Sequence, residues 1–381
     1  MLRVGLIGVG FIGMQHIEAI GRIQGAKLVA ISDKNIDKLN ELKEKGVCEN
    51  IYTDYYKMLE EENLDVIHNC TPTNLHFSIN KRALEKEINI YSEKPLVKES
   101  FEGDELLKIL KDKKLVTGVN FNYRNNLLVQ DMHYRIKSED FGRILLVQGE
   151  YLQDWLMFDT DYDWRLDLDI GGKSRALADI GSHLFDTLEY VTSKRIKAVN
   201  AKLFITHEHR KKFNDVGTFK QATSFDEDYE IVDVKNEDGG LIQVELEGGI
   251  FASLVVSQIS AGKKNGLKIN ISGEKYALEW EQEQSDRLWI GYRDKGNEEI
   301  YADAKYVCKE ASDYATLPNG HPVGWHDALT NGIRAFYRSV EEENYSEYQS
   351  FATFRDANHI LKVIDACFES NKLGKWVEVK D

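Results

Sequence analysis

A glycine-rich turn near the start of the chain constrains the fold more than any other feature of the sequence. The apolar residues of 2–7 predict a short buried strand, and 12–24 predicts a helix. Between them lie Gly8, Gly10 and Gly13, in the pattern G-x-G-x-x-G. The first glycine allows a tight turn, the second lets a pyrophosphate approach the backbone, and the third lets helix and strand pack closely. Since a helix N-terminus also favours phosphate, the turn predicts a dinucleotide site.

An acidic residue supports this interpretation. Asp33 ends the second predicted strand, 27–32, and follows Gly13 by about 20 residues, where a carboxylate accepts hydrogen bonds from the cofactor ribose. A carboxylate there repels a 2′-phosphate, so NAD is favoured over NADP, although the charge of the adjacent Lys34 acts in the opposite direction. The alternative is the same turn in a doubly wound protein of another kind.

Strand and helix patterns alternate over residues 1–121 and predict a parallel sheet with helices on both faces. Ligands of such sheets bind beyond the carboxyl ends of the strands. We therefore predict a dinucleotide-binding domain over 1–121. The predicted strands are 2–7, 27–32, 65–70, 88–92 and 115–120, and the predicted helices are 12–24, 35–46, 54–62, 75–87 and 99–113.

The predicted strand over 65–70 ends in a polar segment. Thr71, Asn74 and His76 follow it, and Pro72 stops any helical continuation. We expect the polar side chains to donate hydrogen bonds into the crevice. The alternative is a polar turn in which Asn74 caps the next helix.

A second strand end carries Glu93, Lys94 and Pro95. Proline restricts the residue before it to an extended backbone, which fixes where the Lys94 side chain points. In a partly desolvated crevice beside a cationic nicotinamide, the pKa of such a lysine would be lowered. The alternative is a solvated lysine at a strand end.

The pattern changes after residue 121, and we predict a second α/β domain over 122–381 with a large, open, mostly antiparallel sheet. Between 195 and 293, strands are joined by Gly-rich turns, which is typical of hairpins. The strand over 251–259 is apolar on both faces, so we expect a second subunit to cover one of them. The other predicted elements are helices at 127–137, 176–192, 325–341 and 354–370, strands at 143–151 and 375–379, and a long loop over 152–175.

Asp179 and His183 are four residues apart, so on a helix they share a face. A carboxylate there can orient an imidazole and stabilise its charged form. Histidine suits the removal of a proton from a hydroxyl group because its pKa lies near neutrality. The alternative is a helix with a capping Asp179 and a buried, hydrogen-bonded His183.

Composition excludes several kinds of partner. The chain carries 64 acidic and 49 basic residues, and its net charge of −15 argues against nucleic acid or an anionic membrane. No apolar run approaches the ~18 residues that span a membrane. Strand residues begin directly after Met1, which leaves no room for a signal peptide, and the four scattered cysteines fit a reducing compartment. We expect a cytoplasmic protein.

Two histidines, His207 and His209, are two residues apart and would share a face in a strand, yet basic residues follow and no third ligand is evident. A metal site needs more ligands than this pair supplies. We therefore predict a solvated turn and no metal.

The chain resembles the Gfo/Idh/MocA family, which includes glucose–fructose oxidoreductase and inositol dehydrogenase. In that family the residues matching Lys94, Asp179 and His183 form the catalytic group. The resemblance also implies a Rossmann domain and a C-terminal domain whose open sheet is used in oligomerisation, hence a homodimer or homotetramer. It runs end to end and rests on Gly8-x-Gly10-x-x-Gly13, Asp33, Thr71-Pro72 with His76, Glu93-Lys94-Pro95 and Asp179-x-Gly181-x-His183. The expected cofactor-binding residues are Gly8, Gly10, Phe11, Ile12, Gly13, Asp33, Thr71, Pro72, Asn74, His76, Glu93 and Lys94.

Within the family, Trp164-Arg165, Ser174-Arg175-Ala176 and 321–325 resemble members that act on sugars or anhydrosugars. We expect an NAD(P)-dependent oxidoreductase that transfers a hydride between nicotinamide and a secondary carbinol or ketone of a sugar, anhydrosugar or cyclic polyol. The expected substrate residues are Tyr123, Arg124, Trp164, Arg165, His183 and His321.

Three other functions stay open. An NAD-dependent glycoside hydrolase oxidises its sugar only transiently, and sequence separates it poorly from a dehydrogenase. A non-catalytic NAD-binding sensor need not keep Lys94, Asp179 and His183 together. Reduction of a C=C or C=N bond would not need His183 as a base for a hydroxyl group.

Overall fold

The computed structural model describes residues 1–213, 229–318 and 320–380. The chain forms two compact units. The first contains Met1–Asn125 and Trp325–Asn358, and the second contains Asn126–Gly324 and His359–Asp381.

The strands and helices are numbered in chain order. The strands are β1 (Leu2–Ile7), β2 (Ala26–Ser32), β3 (Asn50–Tyr52), β4 (Val66–Asn69), β5 (Asn89–Ser92), β6 (Thr117–Val119), β7 (Ile144–Leu152), β8 (Ile196–Phe204), β9 (His209–Phe213), β10 (Tyr229–Asp233), β11 (Gly239–Leu246), β12 (Ile250–Ser257), β13 (Gly266–Gly273), β14 (Ala277–Glu281), β15 (Arg287–Gly291), β16 (Glu298–Tyr301), β17 (Ala352–Thr353) and β18 (Val377–Glu378). The helices are α1 (Phe11–Gly21), α2 (Ile36–Glu44), α3 (Tyr55–Glu61), α4 (His76–Glu85), α5 (Ser100–Leu110), α6 (Leu127–Lys137), α7 (Leu168–Gly171), α8 (Ser182–Thr192), α9 (Trp325–Glu341) and α10 (Phe354–Leu373). Short 3₁₀ turns cover Thr73–Leu75, Asn122–Asn125, Trp164–Leu166, Gln282–Gln284 and Lys309–Tyr314, and a π turn covers Leu177–Gly181.

The first unit is built on a seven-stranded sheet in the order β17-β6-β5-β4-β1-β2-β3. Its strand pairs are parallel except that β17 runs antiparallel to β6. Val4 and Leu6 of the central strand β1 are fully buried, as expected for a parallel sheet covered on both faces. This confirms the predicted Rossmann fold. The sequence did not predict β3 and β17, because runs of three and two residues show no periodicity.

Helix α9 belongs to the first unit, although the predicted boundary after residue 121 placed it in the second domain. Its buried residues Leu329, Ile333 and Phe336 join the core that also contains Val4 of β1. The helix is strongly amphipathic, which predicts a helix that packs against a core but not which core. The division into domains at 121/122 stays a prediction, and it differs from the two compact units in residues 122–125 and 325–358.

The second unit is built on a nine-stranded sheet in the order β16-β15-β14-β13-β7-β12-β11-β8-β18. Only β12 and β7 are parallel among its neighbouring strands, which confirms a large, mostly antiparallel sheet. Helix α8 is buried along its whole length and packs on β7. One face of the sheet thus has a helical cover. Within the described ranges, no helix is long and apolar enough to cross a membrane.

Candidate active site

The glycine turn of the first unit has the geometry that its spacing predicts. Gly8 has a φ of +92°, and a Cβ there would lie 2.7 Å from the carbonyl oxygen of Cys70. A Cβ on Gly13 would lie 2.0 Å from the carbonyl oxygen of Gly8. No side chain fits at either position, whereas a Cβ on Gly10 would meet nothing within 4 Å. The turn is therefore tightly packed on the protein side and open above Gly10.

Helix α1 begins directly at this opening. Its cap position is Gly10, and no side chain caps the helix. Phe11 is exposed and Ile12 half-buried in the first turn. The first N–H groups of a helix favour an anion, and an uncapped end beside open space suits a phosphate group. These residues fit the pyrophosphate of NAD.

Asp33 connects the end of β2 to the glycine turn. Its Oδ2 accepts a hydrogen bond of 2.8 Å from the main-chain N–H of Val9, and its Oδ1 accepts one of 2.9 Å from that of Asn35. An ionised carboxylate has about four acceptor positions, so Asp33 retains capacity for ribose hydroxyl groups. Its half-buried position at the strand end fits the ribose-binding role that the spacing predicts.

The ends of β4 and β5 are held together by polar side chains. The Thr71 hydroxyl donates to Asn69 Oδ1 at 2.7 Å, and Asn69 Nδ2 donates to Asn80 Oδ1 at 2.9 Å. Asn80 Nδ2 then donates to the Ser92 hydroxyl at 3.1 Å. Pro72 is exposed. This series of hydrogen bonds fixes the loop after β4 relative to the loop after β5.

His76 has a different role from the one predicted. Its ring is buried, with Nδ1 2.7 Å from the carbonyl oxygen of Pro95 and Nε2 2.8 Å from that of Thr71. Burial lowers the pKa of His76, although both carbonyls favour the charged ring. Both ring nitrogens face main-chain carbonyls, and the neutral ring donates to one of them, so His76 joins the two loops instead of donating into the crevice. Asn74 is exposed, and no side chain caps α4, so the capping alternative is also wrong.

Glu93 carries a buried carboxylate directly before Lys94. Its Oε1 accepts from Asn120 Nδ2 at 2.6 Å and lies 3.0 Å from His16 Nε2, and its Oε2 accepts from the main-chain N–H of Lys94 at 3.2 Å. Although burial acts to raise it, the hydrogen bonds from His16 and Asn120 hold the pKa of Glu93 at about 2. Lys94 itself is half-buried, and its peptide bond to Pro95 is cis. Sequence analysis missed His16 and Asn120.

Asp179 lies in the π turn that precedes α8 in the second unit. Its Oδ1 is 3.1 Å from Arg165 Nε, and its Oδ2 accepts a hydrogen bond of 2.9 Å from Gln258 Nε2. The carboxylate is buried, so these two donors offset the cost of removing its charge from water. Gln258, which follows β12, is a further residue that sequence analysis missed.

His183 lies in the first turn of α8 and is buried, with its ring centroid 6.3 Å from that of Tyr151. The sequence predicted one continuous helix, whereas a π turn precedes the α-helix; such turns are frequent at functional sites. The start of the turn is capped by Glu237, whose Oε1 accepts from the main-chain N–H groups of Arg175 and Leu177 at 3.0 and 2.9 Å. Asp179 is therefore not the cap. Its orientation of His183 stays a prediction.

Arg165 was predicted to contact substrate, and its guanidinium group has two acidic partners. Nη1 is 3.0 Å from Asp163 Oδ1, and Nε contacts Asp179. The group also lies 4.5 Å above the Trp164 ring and 5.9 Å from the Trp155 ring. Arg165 thus acts as the counter-ion of Asp179, and its guanidinium group lies over the Trp164 and Trp155 rings. Contacts of Arg165 and Trp164 with substrate stay predictions.

The other predicted substrate residues lie in two places. Tyr123 and Arg124 are buried in the 3₁₀ turn of the first unit, where Arg124 Nη1 is 3.4 Å from Asp356 Oδ2. His321 is exposed in the second unit, with its Nδ1 3.0 Å from the carbonyl oxygen of Pro318. Their contact with substrate stays a prediction.

His207 and His209 do not form the solvated turn that was predicted, because His209 begins β9. His207 Nε2 is 2.8 Å from the carbonyl oxygen of Met157, and His209 Nδ1 is 2.9 Å from Asp233 Oδ1. The two rings thus have separate partners. The described part of the chain holds no group of three or more His, Cys, Asp or Glu side chains placed to bind a metal ion.

Comparison with known proteins connects both units to one family. A family model described as an oxidoreductase family with an NAD-binding Rossmann fold matches residues 2–121. A second model, described as the GFO/IDH/MocA C-terminal domain, matches residues 129–279. The two matches give the same family assignment to the Rossmann domain and to most of the large sheet, as far as β14.

Several relatives are dehydrogenases. A levoglucosan dehydrogenase of Pseudarthrobacter phenanthrenivorans is 26% identical over 392 residues, which cover 99% of this chain and 98% of that protein. A myo-inositol 2-dehydrogenase of Thermotoga maritima is 30% identical over 142 residues, 37% of this chain and 42% of that protein. A solved structure of levoglucosan dehydrogenase in complex with NADH and L-sorbose matches with a TM-score of 0.88 and 24% identity, covering 100% of this chain and 99% of that one. The structural match shows that the fold is shared.

Proposed function

The chain belongs to the Gfo/Idh/MocA family and is an NAD-dependent dehydrogenase acting on CH–OH groups, and we propose that its substrate is a sugar, anhydrosugar or cyclic polyol. The observation that carries the proposal is the position of Lys94. Strands β1, β4 and β5 are parallel neighbours, so their carboxyl ends lie at one edge of the sheet. Lys94 follows β5 at the edge where the glycine turn follows β1.

The proposed reaction assigns one task to each side chain. His183 removes the proton from the substrate hydroxyl group, Asp179 stabilises the charged imidazole, and Lys94 donates a hydrogen bond to the substrate oxygen. Bound NAD supplies the hydride acceptor. Arg165 and Gln258 keep the Asp179 carboxylate in place during the proton transfer, since both donate to it. A base near neutral pKa contributes roughly 10²–10⁴-fold to such a step.

A substrate screen tests this proposal. The protein is incubated with NAD or NADP and with levoglucosan, myo-inositol, glucose, glucose 6-phosphate or an alkyl glucoside, and reduced cofactor is read by its absorbance. We expect reduction of NAD, faster than of NADP, with at least one of these compounds. Release of sugar from the glucoside without accumulation of NADH would instead indicate the hydrolase. No reduced cofactor and no released sugar would contradict the proposal.

We also propose that a second copy of the chain covers the open face of the large sheet. Leu146, Leu241 and Phe251 lie on neighbouring strands β7, β11 and β12 and are 44–55% exposed. The register pairs Leu241 with Val255 and Glu245 with Phe251, and paired residues share a face. An apolar patch of this kind on a sheet face is typical of an interaction surface.

A further inference from the structure

Four buried polar side chains form a continuous series in the first unit. Glu93 Oε1 lies 3.0 Å from His16 Nε2, and His16 Nδ1 lies 2.8 Å from His68 Nδ1. His68 Nε2 in turn lies 2.8 Å from the Tyr337 hydroxyl oxygen. Each of the four residues is at most 6% exposed. We call this series the Glu93–Tyr337 chain.

The four side chains come from four separate elements. His16 lies on α1, His68 on β4 and Tyr337 on α9, and Glu93 follows β5. Burying polar groups costs free energy unless they are hydrogen-bonded, and apolar side chains would fill the same volume without that cost. Since each of these groups has a partner, the series is a specific arrangement and needs an explanation beyond core packing.

The acceptors determine where the protons lie. The Glu93 carboxylate only accepts, so His16 Nε2 carries a hydrogen atom. With a neutral His16, its Nδ1 accepts, so His68 Nδ1 donates. His68 Nε2 is then an acceptor and takes the hydrogen bond of the Tyr337 hydroxyl group. In this state every donor points from Tyr337 towards Glu93.

Adding one proton reverses the direction of two of these hydrogen bonds, the one between His16 and His68 and the one between His68 and Tyr337. Burial and the neighbouring charge of His16 hold the pKa of His68 well below its usual range, so the proton belongs on His16. His16 Nδ1 then donates to His68, and His68 Nε2 donates to Tyr337. The Glu93–Tyr337 chain therefore has two states in which each of its three contacts is a hydrogen bond, and they differ in the charge beside Glu93.

Other titratable side chains lie near the Glu93–Tyr337 chain. The Tyr91 ring centroid lies 6.0 Å from that of His16 and 5.3 Å from that of His68. Burial raises the pKa of Tyr91 and holds the pKa of Cys70 well above its usual range, so both stay protonated. Lys94 acts on Glu93, and Arg124 acts on Tyr91, through their charges.

We propose that His16, His68 and Tyr337 are positioning residues for Lys94, acting through Glu93, whose Oε2 accepts from the Lys94 main-chain N–H. The inference rests on the proposed function, because it takes Lys94 as the donor to the substrate oxygen. Tyr337 comes from α9, far along the sequence, so that helix completes the support of a lysine that follows β5.

Paired tyrosine variants test the proposal. Tyr337→Phe removes the terminal donor of the chain. Tyr190→Phe is the matched control, because its buried hydroxyl group donates to Gln130 Oε1 at 2.6 Å in the second unit. Acetylation of Lys94 by acetic anhydride is followed by mass spectrometry over a pH series in the NAD-bound protein. We expect Tyr337→Phe to change the labelling rate of Lys94 at least about threefold and Tyr190→Phe to leave it unchanged.

Two substitutions at His16 distinguish the loss of the hydrogen bond to Glu93 from the loss of side-chain volume. His16→Gln keeps a donor for Glu93, whereas His16→Ala removes it. With the preferred compound of the substrate screen as hydride donor, we expect kcat to fall roughly tenfold in His16→Ala and to recover most of that loss in His16→Gln, with the Kd for NAD within about twofold in both. Equal kcat in the two variants would overturn the proposal.

The labelling experiment needs no turnover, so it tests this inference even if no sugar is oxidised. Absence of NADH with the wild-type protein would count against the proposed function alone. Identical labelling of Lys94 in the wild type, Tyr337→Phe and His16→Ala would overturn the positioning role, whatever the activity.

Discussion

Glu93 shows how the role of a single residue depends on partners that are distant in the sequence. The Glu-Lys-Pro motif indicates that Lys94 has a special position, and the spacing of Asp33 predicts its place beside the glycine turn. The donors to Glu93 are not predictable in this way, because His16 and Asn120 approach it only in the folded sheet. Three donors keep this buried carboxylate ionised.

The charge of Glu93 makes a pH-dependent contribution to stability. Its pKa falls from 4.5 to about 2 on folding, so the contribution is present above pH ~4.5 and is lost as the pH falls towards ~2. We expect Glu93→Gln to reduce the free energy of unfolding by roughly 2–4 kcal/mol at pH 7 and by much less near pH 3. Urea unfolding at both pH values measures this.

Glu41→Gln is the control for that experiment, because Glu41 is an exposed partner of Lys45 on α2. We expect its urea midpoint to match that of the wild type at both pH values. A loss of stability in Glu93→Gln that is equal at pH 3 and pH 7 would contradict the account of the carboxylate.

At the scale of elements, the loop over 152–175 is ordered by one guanidinium group from β9. Arg210 is buried and donates to the carbonyl oxygens of Leu156, Phe158 and Asp161 at 2.7–3.0 Å. Asp238 accepts from the same group at 2.9 Å. The backbone of the loop that carries Trp164 and Arg165 is thus held by hydrogen bonds within the protein.

The sequence predicted most elements of both sheets, because their apolar periodicity is strong. It predicted a long loop before Asp179 but not that Arg210 holds this loop. The acceptors of Arg210 are main-chain carbonyls, which a pattern of side chains does not identify. It also missed the π turn over Leu177–Gly181, because one extra residue per turn hardly changes an apolar pattern.

Removing the Arg210 guanidinium group should make the loop over 152–175, which carries the predicted substrate residues Trp164 and Arg165, less ordered. We expect Arg210→Ala to raise the KM for the preferred compound of the substrate screen roughly tenfold or more, while the Kd for NAD stays within about twofold, because the predicted cofactor residues lie in the first unit. Steady-state kinetics and titration with NAD measure the two effects.

Lys211→Ala is the matched control, since Lys211 pairs with Asp159 of the same loop at 3.0 Å but is half-exposed. We expect its KM to stay near that of the wild type. An unchanged KM in Arg210→Ala would show that the hydrogen bonds of Arg210 do not order the predicted substrate residues.

At the scale of the whole molecule, the chain order does not follow the division into units. The first unit takes its last segment, Trp325–Asn358, from the far end of the sequence. Periodicity predicts that α9 is an amphipathic helix, but the choice of core depends on long-range packing, which a pattern in one segment does not contain. The proposed self-association depends on the same kind of information, because a single segment does not show which apolar face is covered.

The exposed face of the large sheet predicts self-association. We expect the wild-type protein to sediment as a dimer or tetramer and Phe251→Asp to shift it towards the monomer, because a buried carboxylate at an apolar contact is costly. Phe101→Asp is the control, since Phe101 is equally apolar and exposed on α5 of the first unit. A wild-type protein that is monomeric at working concentration would remove the proposed interface.

The central claim is that the imidazole of His183 takes the proton of the substrate hydroxyl group during reduction of NAD. The most direct measurement is the rate of NADH formation by the wild type and by His183→Ala with the preferred compound of the substrate screen, with exposed His209→Ala as control. We predict a loss of roughly 10²–10⁴-fold in kcat for His183→Ala with unchanged NAD binding. Wild-type turnover in His183→Ala would contradict the claim.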